Sequence, residues 1–274
     1  MPDDTVRAGR FEAAEAIEHG PALTEPAAVV VCDHATNRVP DGVEIGLPAA
    51  EMARHIAWDV GARGTALALA RGLGARAVCS RFSRLVIDPN RGEDDPTLVM
   101  RLYDGTVVPG NARAGRAEIE RRLDAYHRPY HRAVAAAIAA AGAEAGRAPV
   151  VLSVHSFVPS LRGRALRPWH VGLLWDRDDR LVRPLLAALA AERLDDGTAL
   201  CVGDNAPYSG ALEGDCMNRH ATGRGLAHVL VELRHDLIET PEAQAAWGAR
   251  LARVVGAVLA EAPPGRFDAL AGGA

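Results

Sequence analysis

Residues 27–38 read AAVVVCDHATNR: six small or apolar residues, then an acid, a histidine and a polar turn. The Ala27–Cys32 run is continuous rather than alternating, the pattern of a strand buried on both faces. Working outward, similar runs predict strands at Ala75–Cys79, Ser83–Ile87, Val150–His155, His170–Trp175, Leu200–Val202 and His228–Leu233. Helical patterns separate many of them. Ala49–Leu73 carries apolar residues at helical spacing, and Ala114–Ala145 places Ile119, Leu123, Tyr126, Tyr130, Val134 and Ile138 at steps of three or four. Arg180–Arg193 and Pro241–Ala262 are further helices, the latter with Thr240 as N-cap and Pro241 at the first helical position. Strands alternating with helices predict an α/β fold with a mainly parallel sheet covered on both faces. No internal repeat or low-complexity linker interrupts the 274 residues, so one domain over 1–274 is expected. Gly92–Gly110 is long, polar and Gly/Pro-bearing, a candidate active-site loop.

Composition bounds the function. Hydrophobic residues make up 49% and the net charge is -4, ordinary for a soluble globular protein. No basic block points to nucleic acid, and no apolar stretch is long enough to span a membrane. The N-terminal MPDDTVRAGRFEAAEAIEHG lacks a signal-peptide core, so a cytoplasmic location is expected. Cys32, Cys79, Cys201 and Cys216 form no C-x-x-C pair and read as packed thiols. The chain has no lysine: all 31 basic residues are arginine. That excludes Schiff-base catalysis, a P-loop lysine and a lysine general base, and leaves any fixed positive charge to Arg.

In an open α/β sheet, ligands bind beyond the carboxyl ends of the strands. There the chain places Asp33-His34-Ala35-Thr36-Asn37-Arg38, then Asp88-Pro89-Asn90-Arg91, then His155-Ser156-Phe157, and Glu232 ahead of Arg234, His235 and Asp236. Two histidines, an acid and an Asn-Arg pair thus converge on one edge. His34 and His155 suit a divalent metal such as zinc, which binds imidazole nitrogen and carboxylate oxygen. For the third ligand, Asp59 falls on the apolar stripe of the Ala49–Leu73 helix, with Met52, Ile56, Ala66, Leu67 and Leu73. A carboxylate buried there needs either an Arg or a metal. Asp33 and Asn37 are rival third ligands. His127-Arg128-Pro129-Tyr130-His131 only superficially resembles a zinc pair: Arg128 stands where H-E-x-x-H has its Glu, and Pro129 interrupts the helix. This segment reads as a pocket wall or kink, and His19, His55 and His220 as surface histidines. Asp204–Gly210 reads as a plain turn-forming loop. No G-x-S-x-G surrounds Ser209 and no G-x-G-x-x-G follows the first strand, which argues against a serine hydrolase and a dinucleotide site.

The segments VVVCDHATNRVP, HIAWDVGA, SRLVIDPNR, YHRPYHRAV, VHSF, RPWHVGLLW, VGDNAPYSG and VELRHDLI, between about residues 27 and 240, resemble the N-formylglutamate amidohydrolase family in order and content. The resemblance implies kinship with zinc carboxypeptidase-like exopeptidases, hence a three-layer α/β/α sandwich around a mixed, mainly parallel, zinc-exopeptidase-like sheet. In those relatives the first metal motif is H-x-x-E, a second His ends a later strand, and the Glu of an E-L-R stretch is the base. His34, His155 and Glu232 match in order and context. Asn37 stands where the metal-binding Glu would be, which favours Asp59 as the replacement carboxylate. The resemblance further implies one zinc-class ion per chain, Glu232 as general base and Arg84 or Arg91 as oxyanion stabiliser. A small acidic N-acyl amino acid would be held by Asn90, Arg91, Arg164, Arg167 and Tyr208. A small-peptide carboxypeptidase and a non-catalytic ligand-binding relative would use the same parts.

Overall fold

The computed structural model describes residues 12–271; of the N-terminal stretch read for a signal peptide, residues 1–11 lie outside them. The strands are β1 (Ala14–Ile17), β2 (Ala28–Cys32), β3 (Arg76–Ser80), β4 (Leu102–Tyr103), β5 (Thr106–Val107), β6 (Val150–Phe157), β7 (Val171–Leu174), β8 (Val202–Asp204) and β9 (His228–Arg234). The α-helices are α1 (Ala49–Met52), α2 (Ala62–Leu73), α3 (Pro109–Ala112), α4 (Arg116–Arg122), α5 (Arg128–Ala145), α6 (Val182–Ala190), α7 (Cys216–His220) and α8 (Pro241–Glu261). Seven strands form one sheet in the order β1-β3-β2-β6-β9-β7-β8, while β4 and β5 make a separate hairpin. Strands β3, β2, β6 and β9 run parallel, β1 and β7 pair antiparallel with β3 and β9, and β8 is parallel to β7. The sheet is therefore mixed and mainly parallel.

Successive residues of β2 point to opposite faces, and both faces are covered. Ala28, Val30 and Cys32 enter a core shared with α2, α6 and α8; Val29 and Val31 enter a second core shared with α5. That double burial is why the run is continuously apolar, and it makes three layers. Helix α8 begins as its sequence predicts, with Thr240 Oγ1 accepting a hydrogen bond from Ala243 N and Pro241 in the first turn.

Three readings change. Ser83–Ile87 is a buried turn, not a strand. Its carbonyls are taken by side chains instead of a ladder: Asn111 donates to Leu85 O and Arg122 to Val86 O, both at 2.8 Å. The expected Ala49–Leu73 helix breaks into α1 and α2. Asn37 Nδ2 donates to Met52 O at the end of α1, and the chain crosses to the sheet edge, where Asp59 N donates to His34 O. Ala114–Ala145 is helical from Arg116 but passes through a π-turn at Leu123–His127, just before Pro129. The wider turn accommodates a proline that cannot donate in a regular α-helix. Strand β1, at the polar edge, and the β4–β5 hairpin inside the Gly92–Gly110 loop went unread, and β8 starts at Val202 rather than Leu200.

Gly61 ends the crossing segment with φ +78°, and a Cβ there would lie 2.1 Å from the Ile238 carbonyl oxygen. Gly61→Ala is expected to lower the free energy of unfolding by at least roughly 1–3 kcal/mol, the usual cost of a strained backbone position. Urea titration measures this; an unchanged midpoint would show that the crossing is free to move.

Candidate active site

The chain passes from β2 leftward to β3 and later returns on the other side at β6, so the strand order reverses between β2 and β6. That switch point opens a crevice at the strand ends. His34 follows β2, His155 lies in β6, and Glu232 lies directly across from His155 in the β6–β9 register. Asp59 reaches the same place from the loop between α1 and α2. Its burial, expected from a helical stripe, comes instead from the loop's docking on the sheet edge.

The four groups are buried and tightly connected. His155 Nδ1 lies 2.8 Å and His34 Nδ1 3.3 Å from the same Asp59 Oδ2. Each imidazole turns its other nitrogen to a second carboxylate: His34 Nε2 is 2.7 Å from Asp88 Oδ1, and His155 Nε2 is 3.0 Å from Asp33 Oδ2. Asp33 also accepts from Tyr130 and Ser153. Arg84 clamps Asp88 through Nε at 3.1 Å and Nη2 at 2.7 Å, with Nη1 3.5 Å from Asp59 Oδ1. Glu232 Oε2 is buried with no hydrogen-bond partner.

The electrostatics follow from this crowding. Burial raises the Asp59 carboxyl, but His34 and His155 more than offset it and hold it well below its ordinary range. Burial likewise opposes Asp33, which the His155 hydrogen bond brings down to about 2. His155 is the converse: burial lowers it, yet Asp33 and Asp59 carry it well above the usual histidine value. Glu232 has no such partner, and burial pushes its carboxyl up to about 7. A cluster of carboxylates that holds a proton on a buried imidazole also favours a divalent cation. His34, Asp59 and His155 each offer a ligand atom, all within 4.8 Å of one another. The donors fit zinc-class chemistry, and the imidazole–carboxylate pairs behind them are the arrangement that fixes metal-binding histidines. Of the rival third ligands, Asn37 donates to Met52 O, and Asp33 has both oxygens engaged behind His155.

A cavity of about 320 Å³ opens onto these groups, with Asn90, Arg91 and Tyr208 on its wall. Asn90 Oδ1 accepts from Cys216 N, while Arg91 donates to Asn90 O and Thr97 Oγ1. Arg167 reaches the wall through Tyr208, its Nη1 2.9 Å from the phenol oxygen. Arg164 is exposed and outside the lining. Sequence reasoning placed Asp88 at the strand ends without giving it a role, missed Tyr103 and Asp215, and placed His55 on the surface although it lines the cavity. Asp88 had a signal, an acid closing the apolar run 85–87 before a Pro-Asn turn. His220, also expected at the surface, is buried because α7 packs it against α5.

The family model for N-formylglutamate amidohydrolase matches residues 27–239. A crystal structure of a gene product from Agrobacterium tumefaciens is 34% identical over 92% of this chain and 96% of its own, with a TM-score of 0.81. The N-formylglutamate amidohydrolase of Ralstonia eutropha is 22% identical over 91% of this chain and 98% of its own, with a TM-score of 0.63, a likeness of fold. No curated protein matches the chain. Among the described residues no helix is long and apolar enough to cross a membrane.

Proposed function

From the premise that the chain belongs to the N-formylglutamate amidohydrolase family, we propose that it hydrolyses the amide of N-formyl-L-glutamate or a similar N-acyl amino acid, with one divalent cation of the zinc class at His34, Asp59 and His155. The observation that carries this reading is the double tether of the two histidines. Each turns Nδ1 to Asp59 and is held from behind by a carboxylate. The unpartnered Glu232 oxygen beside them supplies the base.

A bound cation would supply a Lewis acid that polarises the amide carbonyl and acidifies water. The chain's own residues do the rest. Glu232 takes a proton from the attacking water and returns one to the leaving amine, a role that suits a carboxyl lifted to about 7. Asp33 and Asp88 hold the imidazole orientations, and Arg84 locks Asp88 while its face toward the cavity stabilises developing negative charge on the carbonyl oxygen. Arg91 and Asn90, with Tyr208 braced by Arg167, bind the carboxylates of the substrate, whereas Arg164 is exposed outside the wall. We further read residues 1–274 as a single domain acting in the cytoplasm.

Metal analysis of the purified protein followed by turnover on a panel of N-acyl amino acids and small peptides tests the reading. Bound zinc-class metal with release of an amino acid from N-acyl substrates is the expected result. Preferential cleavage of peptides would make it a carboxypeptidase, and ligand binding without turnover a non-catalytic relative. Arg91→Lys keeps the charge but loses the two-pronged geometry. It is expected to reduce kcat/KM on a dicarboxylate amide by roughly tenfold or more, the worth of a charge-assisted hydrogen bond. Metal content should be intact, and unchanged kinetics would place the substrate carboxylate elsewhere.

A further inference from the structure

A second cluster of metal-type side chains lies in the core between α5 and α7, outside the cavity lining. His127 and His131 are four residues apart across the end of the π-turn, and Cys216 and His220 are four apart on α7. Spacing of four puts each pair on one helical face. All four residues are buried, none more than 4% exposed. His131 Nδ1 lies 2.8 Å from His220 Nε2, and His131, Cys216 and His220 each offer a ligand atom within 4.8 Å of the others.

An all-protein account of the cluster exists. His131 Nδ1–H donates to His220 Nε2, and His127 Nε2–H donates to Arg91 O at 3.0 Å. It leaves His127 Nδ1 buried without a partner. It also spends three imidazoles and a thiol in a core where apolar groups would cost less to bury. Burial, the largest cause in each case, brings His131 down to about 2 and His220 to about 4, so both present neutral rings with a lone pair. The Asp33 carboxylate hydrogen-bonds the Cys216 thiol and provides a negative field beside it. Two imidazole nitrogens and one sulfur are three of the four donors of a tetrahedral zinc site.

We propose that His131, Cys216 and His220 form a second metal site, for a thiophilic divalent cation of the zinc class, separate from the His34–Asp59–His155 centre. In it His131 binds through Nδ1 and carries its proton on Nε2, 3.3 Å from His127 Nε2; to accept it, His127 takes the Nδ1–H tautomer and gives up its hydrogen bond to Arg91 O. The two ligating nitrogens must part to roughly 3.3 Å, the separation set by metal–nitrogen bonds of about 2.05 Å at a tetrahedral angle. The ion displaces the Cys216 proton, which leaves to solvent, so binding weakens as pH falls. Burial, first, and Asp33 push that thiol up, which makes the displacement harder.

The test uses Co²⁺ alone on the purified full chain, because cobalt bound to a thiolate gives a sulfur-to-metal charge-transfer band that imidazole and carboxylate ligands do not. One equivalent of thiolate-bound cobalt per chain is expected, and the band should persist in His155→Ala, which lacks a ligand of the other centre. It should vanish in Cys216→Ser and in His220→Gln. The second variant decides the matter if the first fails to fold, as judged by circular dichroism. A folded wild-type protein without the band, a band that needs millimolar cobalt, or a band that survives in folded Cys216→Ser would each overturn the assignment; the last would move it to Cys32, Cys79 or Cys201.

Discussion

Glu232→Gln is expected to fold, keep its metal, bind substrate with near-normal affinity, and lose kcat by at least about a hundredfold. A general acid–base group contributes about 10²–10⁴ in rate, or roughly 3–5 kcal/mol of barrier at ~1.36 kcal/mol per decade. Gln keeps the size of Glu but cannot take a proton. The fold should tolerate the change, because Oε2 makes no hydrogen bond that the amide would break. Stability gives a second readout. The buried carboxyl titrates at about 7 against an ordinary value of 4.5, with burial as the main cause. Between those pH values the folded protein holds a proton that the unfolded chain has lost. That contribution is fully present below about 4.5 and fades as pH rises through 7. Gln has no such loss, so in the metal-free protein the variant's Tm relative to the parent should rise from pH 5 to pH 8. Wild-type turnover in a metal-replete Gln variant would remove Glu232 from the mechanism.

His155→Ala, His34→Ala and Asp59→Ala are each expected to abolish tight metal binding at their shared centre and, with it, amide hydrolysis. The reason goes beyond the loss of one donor. Removing His155 leaves Asp33 and Asp59 facing each other without the imidazole that bridges them. Removing His34 does the same for Asp59 and Asp88, apart from the Arg84 clamp. Uncompensated buried carboxylates cost several kcal/mol, so the His155 variant should also melt at lower temperature. Changing a carboxylate behind a ligand is milder: Asp88→Asn should weaken metal affinity by about 10–100-fold rather than abolish it. Competition against a chromogenic chelator measures all four. Full occupancy in any of the three alanine variants would remove that residue from the ligand set.

Much of this centre was readable along the chain because strand ends carry it. An apolar run followed by a polar residue locates the carboxyl end of a strand: His34 follows β2, His155 and Glu232 lie two residues inside the ends of β6 and β9, which run on past the ends read from the sequence, and the three strands are adjacent. Asp59 was read as buried, but on a helix that does not exist at that point. Periodicity there was carried by α2 and by a loop packed as tightly as a helix. Ser83–Ile87 failed for a related reason: an apolar run shows burial, whereas a strand also needs a neighbour to take its backbone groups, and here Asn111 and Arg122 take them. The pairing of His131 with His220 spans 89 residues and has no local trace. His55 stayed hidden because the β4–β5 hairpin, which brings Asp104 to it, is two residues long on each side.

The direct pairing of His155 with Glu232 across β6 and β9 has a consequence for how such an enzyme could be altered. In a ladder with a two-residue side-chain period, sliding either strand by a single position would turn its group to the opposite face while the partner stayed in place, so a change of register separates the two groups outright rather than adjusting them by degrees. The proposed substrate-binding side chains are placed differently: Arg91, Arg167 and Tyr208 ride on connections outside the ladder, where insertions and exchanges are tolerated. Breeding the protein toward other amides is therefore a matter of rewriting residues 91–110, 158–168 and 205–213 over an untouched engine, and libraries confined to those connections would change what is cut without changing how.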